Sequence, residues 1–160
     1  MVRMVMTGIV AVALAGSSLQ GQSATQVVQF QVTAVNQMAM SGDPSPMVIG
    51  LATAGSAPTA VNGTGSTWAI TTNEANKKVT AAIDQPLPTG VTLEVFLAAP
   101  SGATSAGHVA LGVAAADVVT GISAGMASAL PIAYRLSAAI TTAITAPQTR
   151  TVTFTIVSGS

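Results

Sequence analysis

Catalytic chemistry in this sequence would have to centre on His108, because the chain has one histidine and no cysteine. Ser101 and Ser105 lie shortly before it and Asp117 lies downstream, so a serine, histidine and aspartate relay for hydrolysis is the first hypothesis to weigh. No nucleophile-elbow motif accompanies these residues. A histidine at the start of a short strand is the simpler interpretation, and we predict that the protein is not an enzyme.

Acidic residues could supply a carboxylate pair for glycoside hydrolysis or ligands for a metal ion. Most of them lie in turn sequences, where Asp is favoured for local hydrogen bonds, or on the polar face of a predicted strand. Transition metals need several His or Cys ligands, and no calcium-loop pattern is present. We therefore predict no catalytic pair, no metal site and no cofactor. The acidic residues are Asp43, Glu74, Asp84, Glu94 and Asp117.

The N-terminus has the order of a secretory signal peptide. Arg3 precedes an uncharged, mostly apolar run at 4–15, and small and polar residues follow at 16–24. The run is shorter than the ~20 residues that span a bilayer. We expect a signal peptide at 1–24, with cleavage after Ala24 and cleavage after Ala15 as the alternative, and a mature chain that is secreted or held at the cell surface without a transmembrane segment.

The mature chain would carry almost no charge. Four basic and five acidic side chains give it a net charge of about −1, so we predict no nucleic-acid partner. Few charges must cover the surface of a single domain, and sheet edges without charge pair readily between chains. Composition therefore favours contact between copies.

Hydrophobic residues recur mostly with a period of two, which is typical of half-buried strands. From 114 to 125 the pattern is ambiguous between a helical turn and an irregular crossing. Residues 73–76 read as a hairpin loop joining two strands, and Pro131 marks its strand as an edge or its first residues as outside the ladder. The predicted strands are 26–35, 47–53, 67–72, 77–83, 91–97, 108–113, 130–138 and 151–156. This pattern predicts an all-β, immunoglobulin-like β-sandwich of about seven or eight strands.

The predicted first strand differs from the others in its position. It belongs to an N-terminal segment at 25–40, directly after the leader, and the sandwich body at 41–160 begins with a Gly-Asp-Pro-Ser-Pro link. It can close its own sandwich or enter the groove of a neighbouring copy. In the second case the intersubunit row would be Val28, Phe30, Val32 and Ala34.

The organisation of the chain resembles that of secreted β-sandwich subunits of extracellular fibres, of the TasA, camelysin and archaeal bundling-pilus kind. The shared features are a leader, an N-terminal strand, Thr/Ala-rich strands and a C-terminal strand at 150–157. The resemblance implies a structural subunit that assembles into a homopolymeric filament or pilus by β-strand complementation. It would have no catalytic activity.

A different surface supports an alternative function. Phe96 lies on the Thr92 and Glu94 face of its strand, where it either contacts a partner or is covered by a loop. With the 99–107 loop it could form the contact surface of a monomeric adhesion or carbohydrate-binding module. Asn62-Gly63-Thr64 matches a glycosylation sequon, but the same residues suit a tight turn.

Overall fold

A computed structural model describes residues 22–143 and 146–159, so the predicted signal peptide falls mostly outside the described residues. The chain divides after Val32 into two units. Residues 22–32, the described part of the first unit, contain no strand or helix. The described part of the second unit forms nine strands and no helix: β1 Asn36–Ser41, β2 Val61–Thr72, β3 Lys77–Ile83, β4 Val91–Leu97, β5 Thr104–Ser105, β6 Val109–Ala110, β7 Ala116–Ile122, β8 Gly125–Ala138 and β9 Val152–Ser158.

The nine strands pair antiparallel in two sheets. One sheet has five strands in the order β1-β2-β8-β4-β6, and the other has four in the order β5-β7-β3-β9. The buried side chains of both sheets form one core, which is the arrangement of a β-sandwich and confirms the all-β prediction. The core residues are Trp68, Ile70, Val79, Ala81, Ile83, Leu93, Val95, Leu97, Leu111, Val118, Val119, Ile122, Ile132 and Tyr134.

Strands β3 and β4 follow the sequence pattern residue by residue. Alternate side chains of β4 are buried, at Leu93, Val95 and Leu97, because successive residues of a strand point to opposite faces of a sheet. Both strands have the predicted bounds.

The predicted hairpin between 67–72 and 77–83 is wrong. Strand β2 belongs to the five-stranded sheet and β3 to the four-stranded one, so residues 73–76 cross between the sheets. From β2 onward, each successive strand lies in the sheet opposite to the one before it. The alternation of apolar and polar side chains shows which face of a strand is apolar, but it does not show which sheet the strand joins. Both sheets direct their apolar faces into the same core.

Two further expectations are corrected by the same sheets. The ambiguous stretch at 114–125 contains strand β7, in which Val118 and Val119 are both fully buried beside a register shift against β3. Segment 47–53 contains no strand, and its only pairing there is an isolated bridge between Ala52 and Pro58. Strand propensity alone does not decide such segments, because packing against neighbouring strands overrides it.

Pro131 lies in β8, the third of five strands, so the predicted edge position is wrong. Its carbonyl oxygen accepts a hydrogen bond from the Ala98 N–H (3.0 Å), just beyond the end of β4. The N–H and C=O of one residue in an antiparallel strand point to the same neighbour. The backbone N–H that proline lacks would therefore point toward the end of β4, where the pairing of β4 with β8 ends. A proline is tolerated at this position for that reason.

Candidate functional site

Two residues of the hydrolase hypothesis, Ser105 and Asp117, have other partners, and Ser101 is exposed. Ser105 Oγ donates to the Leu97 carbonyl oxygen (2.7 Å) and accepts from the Gly107 N–H (3.2 Å). Asp117 pairs with Lys78, at 3.0 Å between Oδ2 and Nζ. These contacts do not bring the serine, the histidine and the aspartate into one relay.

Most acidic side chains are likewise engaged locally. Asp84 Oδ1 accepts from the Thr151 N–H (3.0 Å), and Glu94 lies 3.6 Å from Arg135 across the β4–β8 pair. Over 22–143 and 146–159, no three His, Cys, Asp or Glu side chains come together as a metal-binding group. The carboxylates therefore act as turn and cross-strand partners here.

Phe96 lies on the outer face of the five-stranded sheet, opposite the buried row of β4. Its ring packs against the exposed His108, with 5.7 Å between ring centroids and 39° between ring planes. The single histidine thus belongs to an aromatic pair on the surface. This pair is the only aromatic contact in the described part of the chain.

Residues 22–32, which we call the arm, expose every side chain. Phe30 is 91% exposed, Val32 81% and Val28 69%, and they alternate with Gln29 and Gln31. Side chains of this size and polarity are normally buried when they lie on a strand. The arm therefore has the sequence of a half-buried strand without a strand partner in the described chain, and the single chain forms no strand at 26–35.

A clamp by one asparagine holds the chain directly after the arm. Asn73 Oδ1 accepts from the Val35 N–H (2.8 Å), and its Nδ2 donates to the Thr33 carbonyl oxygen (2.8 Å). The Asn73 N–H also donates to the Val35 carbonyl oxygen (3.2 Å). This pairing continues the register of β1 with β2, so residues 33–35 extend the line of β1. Ala34, the last residue of the predicted intersubunit row, lies in this clamped stretch and is exposed.

A polar network supports the clamp from the adjoining turn. Asn36 accepts from the Thr72 hydroxyl (2.7 Å) and donates to Glu74, which in turn lies 3.0 Å from Lys77 Nζ. The hydrogen bond from Asn36 and the bond and charge of Lys77 hold the pKa of Glu74 below its ordinary value of 4.5. The network keeps the point where the chain enters the sandwich fixed on β1, β2 and β3.

Sequence reasoning did not identify Asn36 and Asn73, because it assigned 73–76 to a hairpin loop. The two asparagines are far apart in the sequence and come close only because β1 pairs with β2, so no local pattern marks them. The turn predicted at the sequon residue Asn62 is wrong, because Asn62 is exposed in β2 and pairs with Arg135.

Comparison of the chain with protein-family models, curated proteins and solved structures finds no match. The described residues include no helix long and apolar enough to cross a membrane.

Proposed function

We propose that this protein is a secreted structural subunit that assembles into an extracellular filament or pilus by β-strand complementation, with an immunoglobulin-like sandwich as its body. The observation that carries the proposal is the arm, an alternating apolar row exposed in the single chain. Arg3 and the apolar run at 4–15 support export of the chain. A strand donated to a neighbour gains backbone hydrogen bonds and side-chain burial at the same time.

The apolar row of the arm would contribute a favourable free energy to such a contact. Burying a valine or phenylalanine side chain contributes about 1.5–3 kcal/mol, so the row Val28, Phe30 and Val32 offers roughly 5–9 kcal/mol. The clamp at Asn73 fixes where the arm starts, which limits the freedom lost on binding. The low charge of the chain leaves little repulsion between copies.

Sedimentation and negative-stain microscopy of the processed protein test the proposal. We expect concentrated protein to pellet as filaments, and a variant lacking residues 25–32 to remain monomeric with an unchanged urea unfolding midpoint, because those residues contribute nothing to the core. Monomeric wild-type protein at high concentration, or filaments that form equally well without the arm, would contradict it.

A monomeric adhesion or carbohydrate-binding module is the second candidate, and the pair of Phe96 and His108 favours it. An aromatic ring on an outer sheet face can stack on a sugar ring, with the 99–107 loop beside it. For this function we expect Phe96→Ala to weaken binding on a glycan array at least about tenfold, since the stacking surface is lost. The matched control is Phe30→Ala, which removes the same ring from the arm and must leave glycan binding unchanged. Equal binding by wild type and Phe96→Ala rules this candidate out.

A further inference from the structure

The two sheets of the sandwich differ by one strand. Across the core, β4 and β6 approach β7, which aligns that side of both sheets. We align the two strand orders at β4 and β7. In this alignment β8 lies opposite β3 and β2 lies opposite β9, so none of the described strands lies opposite β1. Among the described strands, none therefore occupies the position beside β9 in the four-stranded sheet, and we call this position open.

The backbone of β9 can receive a strand there. The Asp84 N–H bonds to the Thr151 carbonyl (3.1 Å) and the Gly159 N–H to the Asn76 carbonyl (2.7 Å), so odd-numbered residues of β9 face β3. The even-numbered residues then direct N–H and C=O groups toward the open side. They are Val152, Phe154, Ile156 and Ser158.

The side chains of β9 suit an apolar neighbour. Val152, Phe154 and Ile156 are half-buried against the core, while Thr153 and Thr155 are exposed. Charges, prolines or bulges usually protect a sheet edge from pairing with another chain, and β9 has none of these.

We propose that the open edge of β9 in a second copy is the acceptor of the arm, an inference that rests on the assembly function proposed above. Residues 26–32 match the length of β9 residue for residue, about 23 Å at the rise of a strand. In this position Val28, Phe30 and Val32 continue the apolar row of β9 and cover the half-buried Met38 of β1.

The clamp favours donation to another copy over closure within one chain. Asn73 holds Thr33 and Val35 in line with β1, in the sheet opposite to β9. An arm that paired with its own β9 would have to reverse direction and change sheets immediately before Thr33. The edge of β1 is the competing acceptor, but a strand added there would have no opposite strand to pack on.

Disulfide trapping tests the assignment, because the chain has no cysteine of its own. Gln29→Cys or Gln31→Cys, on the polar side of the arm, is mixed with Thr153→Cys or Thr155→Cys on β9, all as single variants of the full chain purified after export. Neighbouring strands bring opposed residues within disulfide range. Ala39→Cys, exposed on β1, is the matched control acceptor.

We expect at least one arm and β9 combination to give the covalent heterodimer at more than tenfold the yield obtained with Ala39→Cys. Pelleted filaments that cross-link to Ala39→Cys, or to neither strand, would overturn the β9 assignment and leave assembly by the arm intact. A Gln31→Cys, Thr155→Cys double variant that closes only within one chain overturns donation between copies. Protein that never pellets overturns both this assignment and the assembly function.

Discussion

Replacing Phe30 with aspartate will raise the concentration needed for assembly at least about a hundredfold, whereas the same charge at Gln31 will change it little. Phe30 lies in the apolar row of the arm and Gln31 on its polar side. Phe30→Asp removes about 2–3 kcal/mol of burial and requires a carboxylate to lose its water, which costs several kcal/mol more. Because each 1.4 kcal/mol is a factor of ten, a hundredfold change is a conservative figure.

The measurement is the soluble concentration that remains after sedimentation of each assembled variant. Gln31→Asp is a stringent control, since it places an identical charge one residue away in the same exposed segment. Equal effects of the two substitutions would show that charge, and not burial of one face of a strand, controls assembly. Both variants should unfold in urea like the wild type, because both side chains are exposed.

Replacing Trp68 with alanine will lower the free energy of unfolding by about 3–5 kcal/mol. The side chain is 1% exposed, and its Nε1–H donates to the Ala98 carbonyl oxygen at 3.0 Å. The substitution leaves a cavity between the sheets and removes the indole donor from that carbonyl. Domains are stable by only about 5–15 kcal/mol, so this loss is a large part of the total.

Urea unfolding followed by circular dichroism measures this effect, since the substitution removes the only tryptophan. Val113→Ala is the control, because Val113 is 59% exposed and its truncation should change stability by less than about 0.5 kcal/mol. Trp68→Phe should fall between them, since it keeps most of the volume but not the hydrogen bond. If Trp68→Ala is no worse than Val113→Ala, the assignment of this residue to the core is wrong.

Individual strands were predictable where apolar side chains recur at every second position. Strands β3 and β4 have the expected bounds, residues 130–138 lie within β8, and all of 151–156 except Thr151 lies within β9. Segment 108–113 contains only the two-residue β6, because its pairing with β4 is limited to Glu94 and Val95. In the long strands the two-residue period of apolar side chains matches the side that faces the core. The extent of a short edge strand is set by its pairing with one neighbouring strand, which the period does not show.

The region around the arm was predictable only in part. The alternation at 26–35 indicated residues able to form a strand, and the same residues are exposed in the single chain. The chain divides into two units after Val32 and β1 pairs with β2 from Asn36, so part of the segment 25–40 belongs to the five-stranded sheet. The asparagine clamp depends on residues about forty positions apart, which no local pattern connects.

The all-β character of this protein and the apolar side of its long strands follow from the amino-acid sequence, because a period of two is a local property of successive side chains. The alternation of strands between the sheets, the central position of Pro131 and the open position beside β9 depend on the folded arrangement of the described strands. These features depend on which distant strands share hydrogen bonds, and strands with similar apolar faces are interchangeable until the whole core is packed.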